Sequence, residues 1–107
     1  MDSAIQELVS TIEELAQLLE SDRDRHWSLW VRRAAGRLTD SDGSGVEYLL
    51  QAYGGMGSIN DLVLGQTTRD GTFAWKPGYE ALNERFEALR SRAWHLAQQV
   101  KRSRTAI

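Results

Sequence analysis

The closing segment of the chain constrains the fold more than any other part. Leu82, Phe86, Leu89, Ala93, Leu96 and Val100 recur at intervals of 4, 3, 4, 3 and 4. That period places all six on one face of an α-helix. A helix from about Gly78 to Arg102 would be about 35 Å long at ~1.5 Å per residue. So long an apolar stripe must be buried against elements of comparable length, which predicts a helical bundle. Lys101, Arg102 and Arg104 at its end suit the negative pole of the helix dipole.

Two earlier segments supply partners. Ile5, Leu8, Ile12, Leu15 and Leu19 have the same 3–4 spacing, widened by Val9 and Ala16, which predicts a helix over 3–21 with Ser3 as its cap. Trp27, Val31, Ala34 and Leu38 predict a second helix to about Leu38, capped by Ser21-Asp22, with Asp24 in its first turn. Residues 39–45 are rich in turn formers and read as a loop. Gly45 to Tyr53 reads as a short third helix, ended by Gly54 or Gly55 in the left-handed conformation. Residues 62–64 are apolar and fit a helical turn or a strand. Between Gly65 and Pro77, Asp70-Gly71 lies between β-formers, so a hairpin or loop excursion is expected, held down by Phe73 and Trp75. The expected fold is therefore mainly α: a small antiparallel bundle of the first, second and last helices, with the third helix and the 65–77 excursion packed at one end.

The 107 residues suit a single helical domain over 1–107. The apolar fraction of 41% and charged fraction of 26% fit a folded chain rather than a disordered one. No run reaches the roughly 20 apolar residues that span a bilayer. The acidic start lacks the pattern of a signal peptide. A cytoplasmic location without membrane contact is expected, and the absence of cysteine fits it and excludes thiolate chemistry.

Net charge is only −2, but it is unevenly spread. Residues 1–22 carry acids and no base, whereas residues 23–37 carry five arginines against Asp24. An acidic first helix pairing with a basic second one is the expected outcome. With no net positive field, nucleic-acid binding is not expected.

Function points first to Tyr53-Gly54-Gly55-Met56-Gly57-Ser58-Ile59-Asn60-Asp61-Leu62, where three glycines fall within four positions. A phosphate-binding P-loop needs a following lysine, and none is near. A dinucleotide site needs a βαβ unit, which this pattern does not offer. Two readings remain open. The loop is either a tight connection in which Ser58 caps a restart and Asp61 reaches back, or a contact surface whose amides meet an anion or a partner. The candidate binding residues are Gly55, Gly57, Ser58, Asn60, Asp61 and Trp75.

His26 and His95 lack the helical partners a zinc site prefers, so they read as surface residues. Glu80, Glu84 and Glu87 read as a solvated face, and Ser58, His95 and Asp61 as an accidental triad set. No catalytic residue, metal or cofactor is therefore assigned. Trp27, Trp30 and Trp94 are expected in the core, and Trp75 at the surface.

The run Leu49 to Leu64, with Gly-Gly-Met-Gly-Ser-Ile-Asn-Asp-Leu at its centre, resembles a family of small uncharacterised bacterial proteins. Leu82-Asn83-Glu84-Arg85 and Leu89 to Ala97 resemble that family's closing helix. The resemblance covers about residues 26–100 and implies no catalytic residue or cofactor. Proteins of this sort look like immunity or defence-associated partners of secreted toxins. The expected function is thus a non-enzymatic protein-binding module, most concretely an immunity-type inhibitor of a toxin. Its interface would be the acidic first helix, or the Gly54–Asp61 loop with Trp75. A ligand binder or enzyme using that loop as an anion site is the alternative, and a homo-oligomeric structural protein the third.

Overall fold

The computed structural model describes residues 3–105. Helix α1 spans Ser3–Ser21, α2 Arg25–Thr39, α3 Ser44–Leu50 and α4 Tyr79–Thr105. Single 3-10 turns cover Gln51–Tyr53 and Ile59–Asp61. Strands β1 (Gln66–Arg69) and β2 (Thr72–Trp75) form an antiparallel hairpin. The fold is thus mainly α with a hairpin excursion, drawn out to 57 × 25 × 20 Å.

The core follows the apolar spacing of the sequence. Leu8, Ile12, Leu15 and Leu19 of α1 and Val31, Ala34 and Leu38 of α2 are buried in one cluster. Phe86, Leu89, Ala93, Leu96 and Val100 of α4 complete it, together with Val46, Leu49, Ile59 and Leu64. α1 runs antiparallel to α4, as the pairs Glu14–Arg85 and Glu7–Arg92, both at 3.7 Å, require. Among the described residues, Glu20 is the α1 acid in ion-pair contact with an arginine of α2, Arg32 Nη2 lying 2.9 Å from its Oε1. The expected pairing of α1 with α2 is therefore divided, because α4 lies along the other flank of α1.

The helix ends depart from expectation in instructive ways. α2 is capped by Asp24, whose carboxylate accepts the Trp27 N–H at 2.9 Å, and not by Ser21-Asp22. The reason is that α1 continues through Ser21 and turns at Arg23, which takes a left-handed φ of 62°. Ser3 is the first residue of α1, and the position before it lies outside the described residues. α3 ends at Leu50 and tightens into the 3-10 turn rather than remaining α-helical to Tyr53. Gly54 is extended at φ −99°, and Gly55 takes the left-handed conformation at φ 79°.

Residues 62–64 are neither helix nor strand. They run extended along α4, where Asn83 treats Leu64 as a strand partner would. Its Oδ1 accepts the Leu64 N–H and its Nδ2 donates to the Leu64 carbonyl, both at 2.8 Å. At Gly65 the backbone comes so close to α4 that an added Cβ would sit 2.6 Å from Tyr79 Cβ, and φ is 84°. Only glycine fits both constraints.

The hairpin turns at Asp70 and Gly71, whose φ values of 54° and 77° match a two-residue type I′ turn. Lys76 N–H donates to the Gly65 carbonyl at 2.7 Å and extends the ladder by one rung. The hairpin is fastened by Asp22: one carboxylate oxygen accepts the Gly65 N–H at 3.0 Å, and the other the Lys76 ammonium at 2.9 Å. Phe73 does not hold the excursion down, being 56% exposed. Trp75 contributes by stacking on Tyr79, with centroids 4.5 Å apart.

Candidate functional site

The glycine passage closes on itself. Gly55 and Gly57, at φ 79° and 73°, fold the chain back after the 3-10 turn. Ser58 is buried, and its hydroxyl accepts the Asn60 N–H at 3.2 Å, which caps the restart. Asp61 reaches back to accept the Gly57 N–H at 2.8 Å. The Asn60 side-chain amide donates to the Tyr53 carbonyl at 3.1 Å and ties the two ends of the passage together. A carboxylate of the chain itself thus lies where the anion-site reading would put a ligand.

The passage is fixed to α4 through Arg90. The Tyr53 hydroxyl donates to the Arg90 carbonyl at 2.7 Å, and burial raises its pKa far above the usual phenol value. The Arg90 guanidinium lies 5.0 Å from the Phe86 ring centroid and within 3.5 Å of the Ile59 carbonyl. On either side of Arg90 and Asn60 the surface is hollowed. One hollow, of about 260 Å³, is walled by Tyr53, Ser91, Trp94 and His95. The other, of about 240 Å³, is walled by Leu62, Val63, Asn83 and Glu87. Both are open and shallow, and Arg90 and Asn60 form the saddle between them.

The structure therefore brings Gly57, Ser58, Asn60 and Asp61 into one hydrogen-bonded unit, with Gly55 on its bend. It places Trp75 elsewhere. Trp75 stands against Tyr79, eleven residues before Arg90 on α4, or about 16 Å along the helix. There it forms an aromatic face with Phe73, the two rings meeting edge to face at 5.0 Å. Trp75 is 42% exposed.

Trp94, expected in the core, is 38% exposed and packs edge-on to His95 at the rim of the larger hollow. It falls one residue past Ala93 of the apolar stripe, which turns it outward. Trp27 and Trp30 are half-buried. Trp30 stacks on Tyr48 at 4.6 Å and donates its indole N–H to the Tyr48 carbonyl at 2.9 Å, locking α2 to α3. No hydrogen bond joins Ser58, His95 and Asp61 among the described residues.

Sequence reasoning missed Arg90, Phe73 and the fully exposed Met56. The signal for Arg90 was its place with Tyr79, Asn83 and Phe86 on a single flank of α4. Among the described residues no three or more His, Asp or Glu side chains converge to hold a metal ion, and no helix is long and apolar enough to cross a membrane.

Residues 20–72 match a family model described as a domain of unknown function, DUF6966. The matched stretch runs from Glu20 through Asp22, α2, α3 and the glycine passage to the first residue of β2. The chain is similar to that family over this stretch, which stops short of Phe73, Trp75 and α4. No curated protein and no solved structure matches the chain.

Proposed function

We propose that this chain is a non-enzymatic protein-binding module, most concretely a cytoplasmic immunity-type inhibitor that blocks a bacterial toxin by occlusion. The observation that carries the reading is the aromatic face of the hairpin. Phe73 and Trp75 lie side by side, 56% and 42% exposed, on an element pinned by Asp22, Lys76 and Tyr79. Large aromatic side chains on a braced support are the usual anchors of protein interfaces, because little conformational freedom is lost on binding. Met56 and the Asn60–Asp61 turn offer a second contact further along α4. The glycine passage supports this reading over an anion site, since Asp61 and Ser58 occupy its Gly57 and Asn60 amides.

The test is affinity capture of the partner from the native cell, followed by titration calorimetry of the purified chain against it. Trp75→Ala and Phe73→Ala should each raise Kd by roughly tenfold or more, with thermal unfolding of the free chain little changed. Asp61→Ala should weaken the complex less, by loosening the passage. Affinity unchanged by all three variants would remove this interface, and absence of any complex would remove the inhibitor reading.

A further inference from the structure

The outward face of α2 combines arginine with an exposed leucine and a glycine. Arg25, Leu29, Arg32, Arg33 and Gly36 fall at i, i+4, i+7, i+8 and i+11, so they share one face, and all five are exposed. α2 contains four arginines and no acid, in a chain whose net charge is −2. Arg32 is held by Glu20, and Arg37 lies over the Tyr48 ring at 4.3 Å. Arg25 and Arg33 have no side-chain partner among the described residues. Between them Leu29 is 53% exposed.

Gly36 is the second, independent observation. It lies inside the helix, where glycine is less stable than alanine. A Cβ built there meets nothing within 4 Å, and its φ is not left-handed. The fold of this chain gains nothing from a glycine at that position. A missing side chain on an exposed helix face leaves room for the close approach of another backbone.

We propose that this face is the docking surface for an acidic helical segment of a partner protein. The partner's carboxylates engage Arg25 and Arg33, an apolar side chain covers Leu29, and its backbone crosses at Gly36. The chain already holds a template for the polar part: Glu20 grips Arg32 through both oxygens, Nε–Oε2 at 3.1 Å and Nη2–Oε1 at 2.9 Å. From Arg25 to Gly36 the face is about 16 Å long, which suits about three turns of a partner helix. A protein is favoured over a nucleic acid. Leu29, 53% exposed at the centre of the face, offers a phosphate backbone nothing but gives a partner's apolar side chain a contact. The inference rests on the binding-module reading but uses a surface separate from the aromatic hairpin.

The test titrates the full chain into a fluorescein-labelled helical peptide with glutamates on one flank and leucines at 3–4 spacing. Oligothymidylate serves as the competing probe. The peptide should bind in a salt-dependent manner, and Arg25→Glu combined with Arg33→Glu should weaken it at least about tenfold. The circular dichroism of that variant should be unchanged, since both side chains are exposed and neither has a hydrogen-bond or ion-pair partner among the described residues. Gly36→Ala should bind more weakly while melting at a slightly higher temperature. Absence of peptide binding, binding indifferent to the arginine or glycine variants, or tighter binding of oligothymidylate would each overturn the proposal. Trp75→Ala should leave peptide affinity intact. Loss of peptide binding there, but not in the arginine variant, would overturn this proposal and leave the hairpin interface standing.

Discussion

The carboxylate of Asp22, at the end of α1, meets the ammonium of Lys76, 54 residues later, at 2.9 Å. The same carboxylate accepts the N–H of buried Gly65. One side chain thus joins the α1–α2 turn to both legs of the hairpin stem.

Replacing Asp22 should release the stem. Asp22→Ala leaves a buried N–H unpaired, which costs about 1–3 kcal/mol. Asp22→Asn keeps an acceptor for Gly65 and should cost about half as much. Urea unfolding gives the totals. Hydrogen exchange should show faster opening at residues 65–76 in the alanine variant, with α1 and α2 protected as before.

Tyr53 makes stability depend on pH at the alkaline end. Burial disfavours the phenolate, so the folded-state pKa lies above the unfolded value. The contribution is complete below the unfolded pKa of about 10 and is lost as pH rises beyond it, because the unfolded chain releases the proton first. Unfolding free energy should therefore fall above about pH 10 by up to ~1.4 kcal/mol per pH unit from this group. Tyr53→Phe should remove that slope. At neutral pH it should cost about 0.5–1.5 kcal/mol for the lost bond to the Arg90 carbonyl.

Arg23 ends α1 in the left-handed conformation with no bond from its side chain among the described residues. Arg23→Gly removes the Cβ penalty at that bend and should raise stability by up to ~1 kcal/mol. Thermal unfolding would show it as a melting temperature a few degrees higher.

Gly65→Ala should be among the most damaging single changes. Its Cβ would meet Tyr79 Cβ at 2.6 Å on a backbone with φ 84°. A loss of about 2 kcal/mol or more is expected, from strain and overpacking together. Gly71→Ala meets no atom within 4 Å, so it carries only the backbone term and should cost less. Parallel denaturant titrations of the two variants separate the contributions.

The helices were legible because their signals are local and periodic. Leu82 to Val100 announce α4, and the Asp-Gly pair announces the hairpin turn. The Ser58 cap and the backward reach of Asp61 were legible too, because capping chemistry acts over three or four residues. What the sequence concealed depends on distant partners. The end of α1 carries no glycine, so Arg23 gave no stop signal and Asp22 was read as part of a cap. Its actual partners lie 43 and 54 residues away. Trp94 and Phe73 were misplaced for a related reason: apolar character says that burial is favourable, while position on the helix or strand decides whether it happens. Residues 62–64 carried no period at all, since their ladder partner is a side chain.

That side chain sets an unusual tolerance profile for α4. Asn83 both accepts from and donates to Leu64, and donates to the Tyr79 carbonyl as well, each at 2.8 Å. Carboxylates cannot donate, lysine and arginine cannot accept, and glutamine is one methylene too long to keep the spacing. In a saturation scan read out by folding, position 83 should therefore reject nearly every replacement, like Phe86 beside it, although it is only half-buried and polar. Hydrophobicity would rank it among the freely variable surface; its hydrogen-bond valence makes it a fixed point of the sequence.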